Sequence, residues 1–318
     1  MELRPLGGTG LSVSEVILGC GSIGGIGSAP STRGRGLSVE DGLRQIDEAV
    51  ALGVRTLDTA DAYAGGVSEQ VVGQWLAAHP DADVLVATKV GNKVRPEQAG
   101  VLLSPDHIAA QVEASLARLG RIDLYLSHAP DPTTPVEQTL EAFAAVLESG
   151  QARAIGGCHL DVRSLEHVLV TADRLGLPAY SWVQNEYNLL AREDEADLFA
   201  MLRERGIGYT PFSAHAGGVL AGRYRRGEPV PAGSRLDVLP AVIRDLDGLW
   251  DGLNRLALAA DSRGVSMAAL SLAWVLSSPA VAGAIAAPRP GQFGDVAAAL
   301  EIELSEDERA ELASLFAG

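Results

Sequence analysis

Short apolar runs alternate with longer segments whose apolar positions recur every three to four residues, and the alternation continues along nearly the whole chain. The first pattern predicts strands and the second predicts amphipathic helices. Strands are expected near residues 15–18, 56–58, 84–89, 122–128, 152–157, 181–186, 208–213 and 281–285. Helices are expected near 39–52, 68–78, 105–119, 136–148, 162–175, 193–205 and 265–276, with a last one at 305–316. Strand followed by helix, repeated, implies a parallel sheet, and eight such strands predict an α/β fold closed as a (β/α)8 TIM barrel. Residues 2–13 predict an N-terminal β-hairpin around Gly7-Gly8. Helix punctuation agrees: Ser104 precedes Pro105 at a first helical position, and Gly150, Gly176 and Gly206 follow helical runs where C-caps belong.

The rhythm breaks after the seventh strand, where residues 214–239 are rich in Gly, Pro and Arg. A connection this long is usually functional or mobile, and its position puts it at the C-terminal face of the barrel, where such folds build their sites. No low-complexity tract or linker divides the chain, so one domain over residues 1–318 is expected. Gly19-Cys20-Gly21-Ser22-Ile23-Gly24 has the spacing of a Rossmann dinucleotide fingerprint. That fingerprint needs a helix to begin inside it, and the following Gly25-Ile26-Gly27-Ser28-Ala29-Pro30-Ser31 cannot start one. A glycine-rich loop over the barrel mouth is the better account.

Composition narrows the function classes. A formal charge of −16 with no basic run argues against a nucleic-acid partner. The opening MELRPLGGTG lacks signal-peptide character and no apolar run approaches the ~20 residues of a membrane span, so a soluble, cytoplasmic protein is expected. The two cysteines, Cys20 and Cys158, form neither a disulfide framework nor a zinc spacing. Of the 25 Lys and Arg, only Lys89 and Lys93 are lysines. Each is either a leftover surface residue or one whose compact ammonium does something a guanidinium cannot.

Asp58 and Tyr63 in LDTADAY, Lys89 in VLVATKV and His128 in DLYLSHAPD fall at or just after the ends of three successive strands. Singly each has an ordinary reading: a turn cap, a loop aromatic, an ion-pair partner, a hydrogen-bonded core histidine. Together they make a proton-transfer device. Hydride reduction of a carbonyl leaves an alkoxide that needs a proton, and a tyrosine of pKa ~10 gives one up weakly unless a neighbouring Lys⁺ favours the phenolate. Asp58 would hold Lys89 charged, and His128 would hydrogen-bond the substrate oxygen.

These segments resemble the tetrad of the aldo-keto reductase family, and the likeness runs from about Leu3 to Phe316. The resemblance implies a carbonyl oxidoreductase acting on a small-molecule carbonyl or alcohol, with Tyr63 as general acid and base and NADPH lying across the barrel top. It also implies cofactor contacts from Cys158, His159, Gln184, Phe212, Ser213, Arg289 and Gln292, with Phe212 stacking on nicotinamide and Arg289 suited to a 2′-phosphate. Cys158-His159 stands where most members carry Ser-Asn, and a thiol is a poor hydrogen-bonding group. Val296 stands where an adenine-contacting asparagine is usual, and IAAPRPGQFGDVAAAL is one residue short. His215, where leucine is common, together with Cys158, His159 and His128 permits a metal site, and a further reading is a metal-dependent hydrolase using Cys158, His159 and His215. That reading is set aside because the ligands do not follow a metal-site pattern, and no resident metal is expected. A cofactor-sensing regulatory subunit on the same barrel is the remaining alternative, since channel β-subunits resemble the family. The tail ends soon after the last helix, which suggests an open pocket; substrate identity and oligomeric state are not legible.

Overall fold

In a computed structural model, residues 1–94, 97–98, 100–240 and 246–316 are described. The chain opens with the expected hairpin, β1 (Leu3–Pro5) paired antiparallel with β2 (Ser12–Ser14). Eight parallel strands follow: β3 (Val16–Gly19), β4 (Thr56–Asp58), β5 (Leu85–Val90), β6 (Leu124–Ser127), β7 (Ala154–Cys158), β8 (Trp182–Gln184), β9 (Gly208–Tyr209) and β10 (Ala284–Ala286). Their ladder runs β10-β3-β4-β5-β6-β7-β8-β9. Ala282 N–H donates to Tyr209 O at 2.9 Å and Ile285 N–H to Pro211 O at 2.8 Å, which closes the sheet on itself. The fold is a (β/α)8 barrel.

The helices α1 (Val39–Leu52), α2 (Val67–Ala78), α3 (Pro105–Leu119), α4 (Val136–Glu148), α5 (Val162–Leu175) and α6 (Leu198–Arg205) alternate with the strands. Beyond β9 come α7 (Arg235–Val238), α8 (Trp250–Ser262) and α9 (Met267–Leu276), then α10 (Phe293–Leu300) and α11 (Glu306–Ser314) after β10. Of these, α7, α8 and α10 lie outside the segments read as helical from the sequence. The expected helix over 193–205 is broken: a 3-10 turn at Glu193–Glu195 precedes α6. The break has a tertiary cause, because Asp194 turns inward to accept from Asn185 Nδ2 at 3.0 Å and from the Tyr209 hydroxyl at 2.6 Å.

Two apolar regions hold the barrel. One lies between strands and helices; the other fills the interior, where Leu6, Leu11 and Val13 of the hairpin pack with Ile17, Leu124, Leu126 and Trp182. The hairpin therefore plugs the N-terminal end. Its turn sits so close to the barrel that a Cβ at Gly7, whose φ is +52°, would lie 2.3 Å from Gly208 N. With that end shut, the opposite face is the one left for chemistry.

Candidate active site

The C-terminal ends of the strands surround an open cleft of about 850 Å³. Every catalytic or cofactor-contact residue expected from the sequence lines it except Lys89, which is buried at 1% exposure. Among the described residues four non-glycine residues have left-handed backbones: Ala64, His159, Ser213 and Ala216. His159 and Ser213 line the cleft, Ala64 follows Tyr63, and Ala216 lies between the cleft-lining His215 and Gly217. Backbone strain concentrates where side chains must be aimed precisely.

Tyr63 is aimed by a chain of backbone bonds. Thr59 N–H donates to Ala87 O at 2.8 Å and Asp61 N–H to Lys89 O at 3.1 Å, laying the segment after β4 along β5. Ser68 in α2 hydrogen-bonds Thr59 Oγ1 at 2.8 Å and donates to Cys20 O at 2.8 Å, tying the same segment to the end of β3. Tyr63 then begins a 3-10 turn, Tyr63–Gly66, that leads into α2. The glycine-rich loop comes close over it: a Cβ at Gly21 would lie 3.2 Å from the Tyr63 ring.

Behind the tyrosine, Lys89 Nζ donates to Asp58 Oδ1 at 2.5 Å, to Thr59 O at 2.8 Å and to Tyr63 Oη at 3.4 Å. An ammonium has three hydrogens, so two are engaged by Asp58 and Thr59 and the third is left for the phenol. Burial opposes the charge on Lys89, but Asp58 and the neighbouring Tyr63 raise its pKa above the usual lysine value. Tyr63 differs from the expectation of a lowered pKa. Lys89 does pull it down, yet burial outweighs that pull and Asp58 adds to it, so the phenol is held above its ordinary value and stays protonated at neutral pH. His128 meets the Tyr63 ring edge-on at 5.4 Å between centroids. Burial, with Lys89 and His159 adding to it, pushes His128 well below the usual histidine range, so it is neutral, and its buried Nδ1 has no hydrogen-bond partner.

Across the barrel, Gln184 Nε2 donates to Asp58 Oδ2 at 3.0 Å, and Cys158 Sγ donates to Gln184 Oε1 at 3.6 Å. Burial, partly offset by Lys89, pushes the Cys158 thiol up to about 12, so it remains a thiol. His159 is exposed in the cleft with its ring 5.2 Å from that of Phe212. Arg289 and Gln292 lie at the far end, where Arg289 N–H donates to Gln292 Oε1 at 3.0 Å. Val296 is buried at 3% exposure. The ring of His215 hydrogen-bonds Ala268 O at 3.0 Å. Among the described residues no group of three or more His, Cys, Asp or Glu could hold a metal ion.

Sequence reasoning missed Arg223 and Arg235, which line the same cleft. Neither they nor Arg289 form a salt bridge with a carboxylate among the described residues. In a chain of formal charge −16, these three guanidiniums, none in a salt bridge among the described residues, bring positive charge to one cleft. Their only signal in the sequence was the arginine content of the 214–239 loop.

A family model for the aldo/keto reductase family matches residues 16–317. This chain belongs to that family. A versiconal hemiacetal acetate reductase from Aspergillus parasiticus is 33% identical, covering 97% of this chain and 95% of its own. A protein from Arabidopsis thaliana named as a probable voltage-gated potassium channel subunit beta is 30% identical over 95% of this chain and 92% of its own. An NADH-specific methylglyoxal reductase from Escherichia coli strain K12 is 31% identical over 96% and 95%. A solved glycerol dehydrogenase from Gluconobacter oxydans superposes with a TM-score of 0.83 over 98% of this chain and 94% of that one, at 24% identity, and so supports the fold. In this aldo/keto reductase no helix among the described residues is long and apolar enough to cross a membrane.

One buried group near the site bears on stability. Asp61 is fully buried, and among the described residues no donor other than the adjacent Ala62 N–H approaches its carboxyl. Burial, reinforced by the Glu69 carboxylate, pushes its pKa well above the usual carboxylate range, against a smaller opposite pull from Arg118. With the folded pKa raised, the favourable linkage is full below the unfolded value of about 3.9 and is lost as pH rises toward the folded pKa. Asp61→Asn removes this titration. It is expected to gain about 1–3 kcal/mol at pH 7 relative to wild type, with the gain shrinking toward pH 4. Urea denaturation at both pH values checks this; an equal or opposite difference at pH 7 contradicts it.

Proposed function

We propose that this chain, acting as one domain over residues 1–318, is an NADPH-dependent carbonyl oxidoreductase that interconverts an aldehyde or ketone with its alcohol. The reading is carried by one arrangement: a protonated, half-buried tyrosine at the cleft, backed by a lysine whose remaining hydrogen points to it, beside a neutral histidine. Tyr63 would give its hydroxyl proton to the oxygen of the reacting carbonyl, and Lys89⁺ would stabilise the phenolate left behind. His128, neutral, can donate a hydrogen bond to that oxygen without competing for its proton. In the oxidative direction the Tyr63 phenolate would accept the alcohol proton.

The lining suits a dinucleotide: it includes both Tyr63 and Arg289, and Phe212 offers an aromatic ring beside His159. When bound, a reduced nicotinamide supplies the hydride for the carbonyl carbon. Arg223 and Arg235 would hold the pyrophosphate, Arg289 with Gln292 would hold the adenosine end, and Ser213 and His159 would flank the nicotinamide, while Gln184 and Cys158 line the cleft with their polar atoms bonded to Asp58 and to each other. Ser28 and Asn92 line the cleft near the glycine-rich loop, where a small substrate would enter. Two free, buried cysteines suit a reducing compartment, and we place the enzyme in the cytoplasm.

The test is spectrophotometric: NADPH consumption with 4-nitrobenzaldehyde, abolished by loss of the Tyr63 hydroxyl. The similarity to a potassium channel subunit beta favours a second reading, a cofactor-sensing regulatory barrel. Tight NADPH binding without turnover across a panel of aldehydes and ketones would select it. Cofactor choice gives a further prediction. Arg289→Ala is expected to weaken NADPH by about ten- to a hundredfold, and NADH by no more than about threefold, because only NADPH carries a phosphate for the guanidinium. Fluorescence titrations measure both; equal losses would refute the assignment of Arg289.

A further inference from the structure

The resemblance assigns Gln184 to the cofactor, yet its side chain is already committed elsewhere. Its amide nitrogen donates to Asp58 Oδ2 at 3.0 Å and its amide oxygen accepts from the Cys158 thiol at 3.6 Å. Gln184 and Asp58 are each 2% exposed, and Cys158 1%. Cys158 and Gln184 are register partners on β7 and β8, so their side chains project to the same side. Asp58 reaches them from β4 across the barrel interior and meets Lys89 with its other oxygen at 2.5 Å. A continuous chain therefore runs from Cys158 through Gln184, Asp58 and Lys89 to Tyr63.

The geometry points to Gln184 as a positioning residue of the proton-transfer group: it holds Asp58 so that Lys89 is oriented and charged toward Tyr63. The direction of its influence follows from electrostatics. An N–H on Oδ2 draws part of the carboxylate's negative charge away from Lys89, which leaves more of the ammonium's field for the Tyr63 phenolate. Without that donor, Asp58 grips Lys89 more fully and the phenolate is less favoured. The Asp58 carboxylate settles which way the amide faces: Oδ2 can only accept, so the NH₂ stands on its side and the amide oxygen on the side of the Cys158 thiol.

The test exploits the lysine content. Lys89 and Lys93 are the only two lysines, so ¹⁵N-lysine labelling yields two side-chain resonances, and Lys93→Arg identifies which belongs to Lys89. In Gln184→Met the Lys89 Nζ resonance of the cofactor-free protein should move. The tyrosine-dependent inflection in the pH profile of alcohol oxidation should rise by about half to one unit, a fraction of one charge-assisted hydrogen bond. NADPH affinity should stay within about threefold, less than loss of one full hydrogen bond. In Gln184→Glu the Lys89 resonance should match wild type while the new carboxyl keeps its proton and depart from it once that proton is lost. This gives a second reading if the methionine variant does not fold. An unmoved Lys89 resonance in both variants overturns the proposal, as does a tenfold loss of NADPH affinity with an unshifted inflection. The resonance needs no turnover, so an inactive wild type would count against the carbonyl-reductase reading and leave this one to be decided by NMR.

Discussion

Tyr63→Phe is expected to slow carbonyl reduction by about two to four orders of magnitude, the usual worth of a positioned general acid. NADPH affinity should remain within about threefold, since the hydroxyl serves proton transfer and a cofactor contact would cost more than that. Stability should also change little. The hydroxyl meets Lys89 at 3.4 Å, a long contact, and removing it leaves the stronger bonds to Asp58 and Thr59 in place. The pH dependence sharpens the test. Burial holds the phenol protonated above its ordinary range, so wild-type reduction should persist through neutral pH and fall only on the alkaline side as the proton is lost. In the phenylalanine variant the residual rate should lack that limb. Steady-state rates from about pH 6 to beyond the ordinary tyrosine value of about 10, with a fluorescence titration of NADPH, measure all of it. A variant that keeps most of its turnover removes Tyr63 from the role of acid.

The sequence was most legible where local chemistry and tertiary structure agree. Helices α1 and α5 begin at Ser38 and Asp161, whose side chains accept the expected backbone N–H groups, and end at left-handed Gly53 and Gly176. Their boundaries could be read to the residue. By contrast α8 follows a 3-10 turn with Leu249 at its N-cap, and α10 follows Gln292; neither has a side-chain cap, so neither announces its start. The break before α6 was hidden for the opposite reason, because distant Asn185 and Tyr209 draw Asp194 out of a helical pattern. In the candidate site, residue type and position at strand ends pointed to Asp58, Tyr63, Lys89 and His128. What spacing could not show was orientation: that the Gln184 amide faces Asp58, or that Arg223 and Arg235, the latter at the start of α7, line the cleft.

Lys89→Arg tests whether that position needs a lysine or only a positive charge. Lys89 is 1% exposed, and its ammonium satisfies Asp58, Thr59 and Tyr63 from one point, 5.0 Å from the centre of the Tyr63 ring. A guanidinium spreads its charge over a plane and is larger, so it can reach Asp58 only by displacing Tyr63 or the Thr59 carbonyl. Overpacking of this kind costs about 1–3 kcal/mol of stability. Misplacing the acid should cost about a hundredfold or more in turnover, because proton transfer fails when the reacting groups shift by an ångström. Lys89→Met separates charge from shape: with no cation beside it, buried Asp58 loses its ion-pair partner, and the loss should approach about 3–5 kcal/mol. Lys93, exposed and outside the cleft, supplies the control. Lys93→Arg should match wild type in rate and in melting temperature, so any fall seen at Lys89 belongs to the site and not to lysine replacement in general. Should Lys89→Arg run near the wild-type rate, Lys89 is a structural cation, and the account of Tyr63 as an acid tuned by a buried ammonium fails with it.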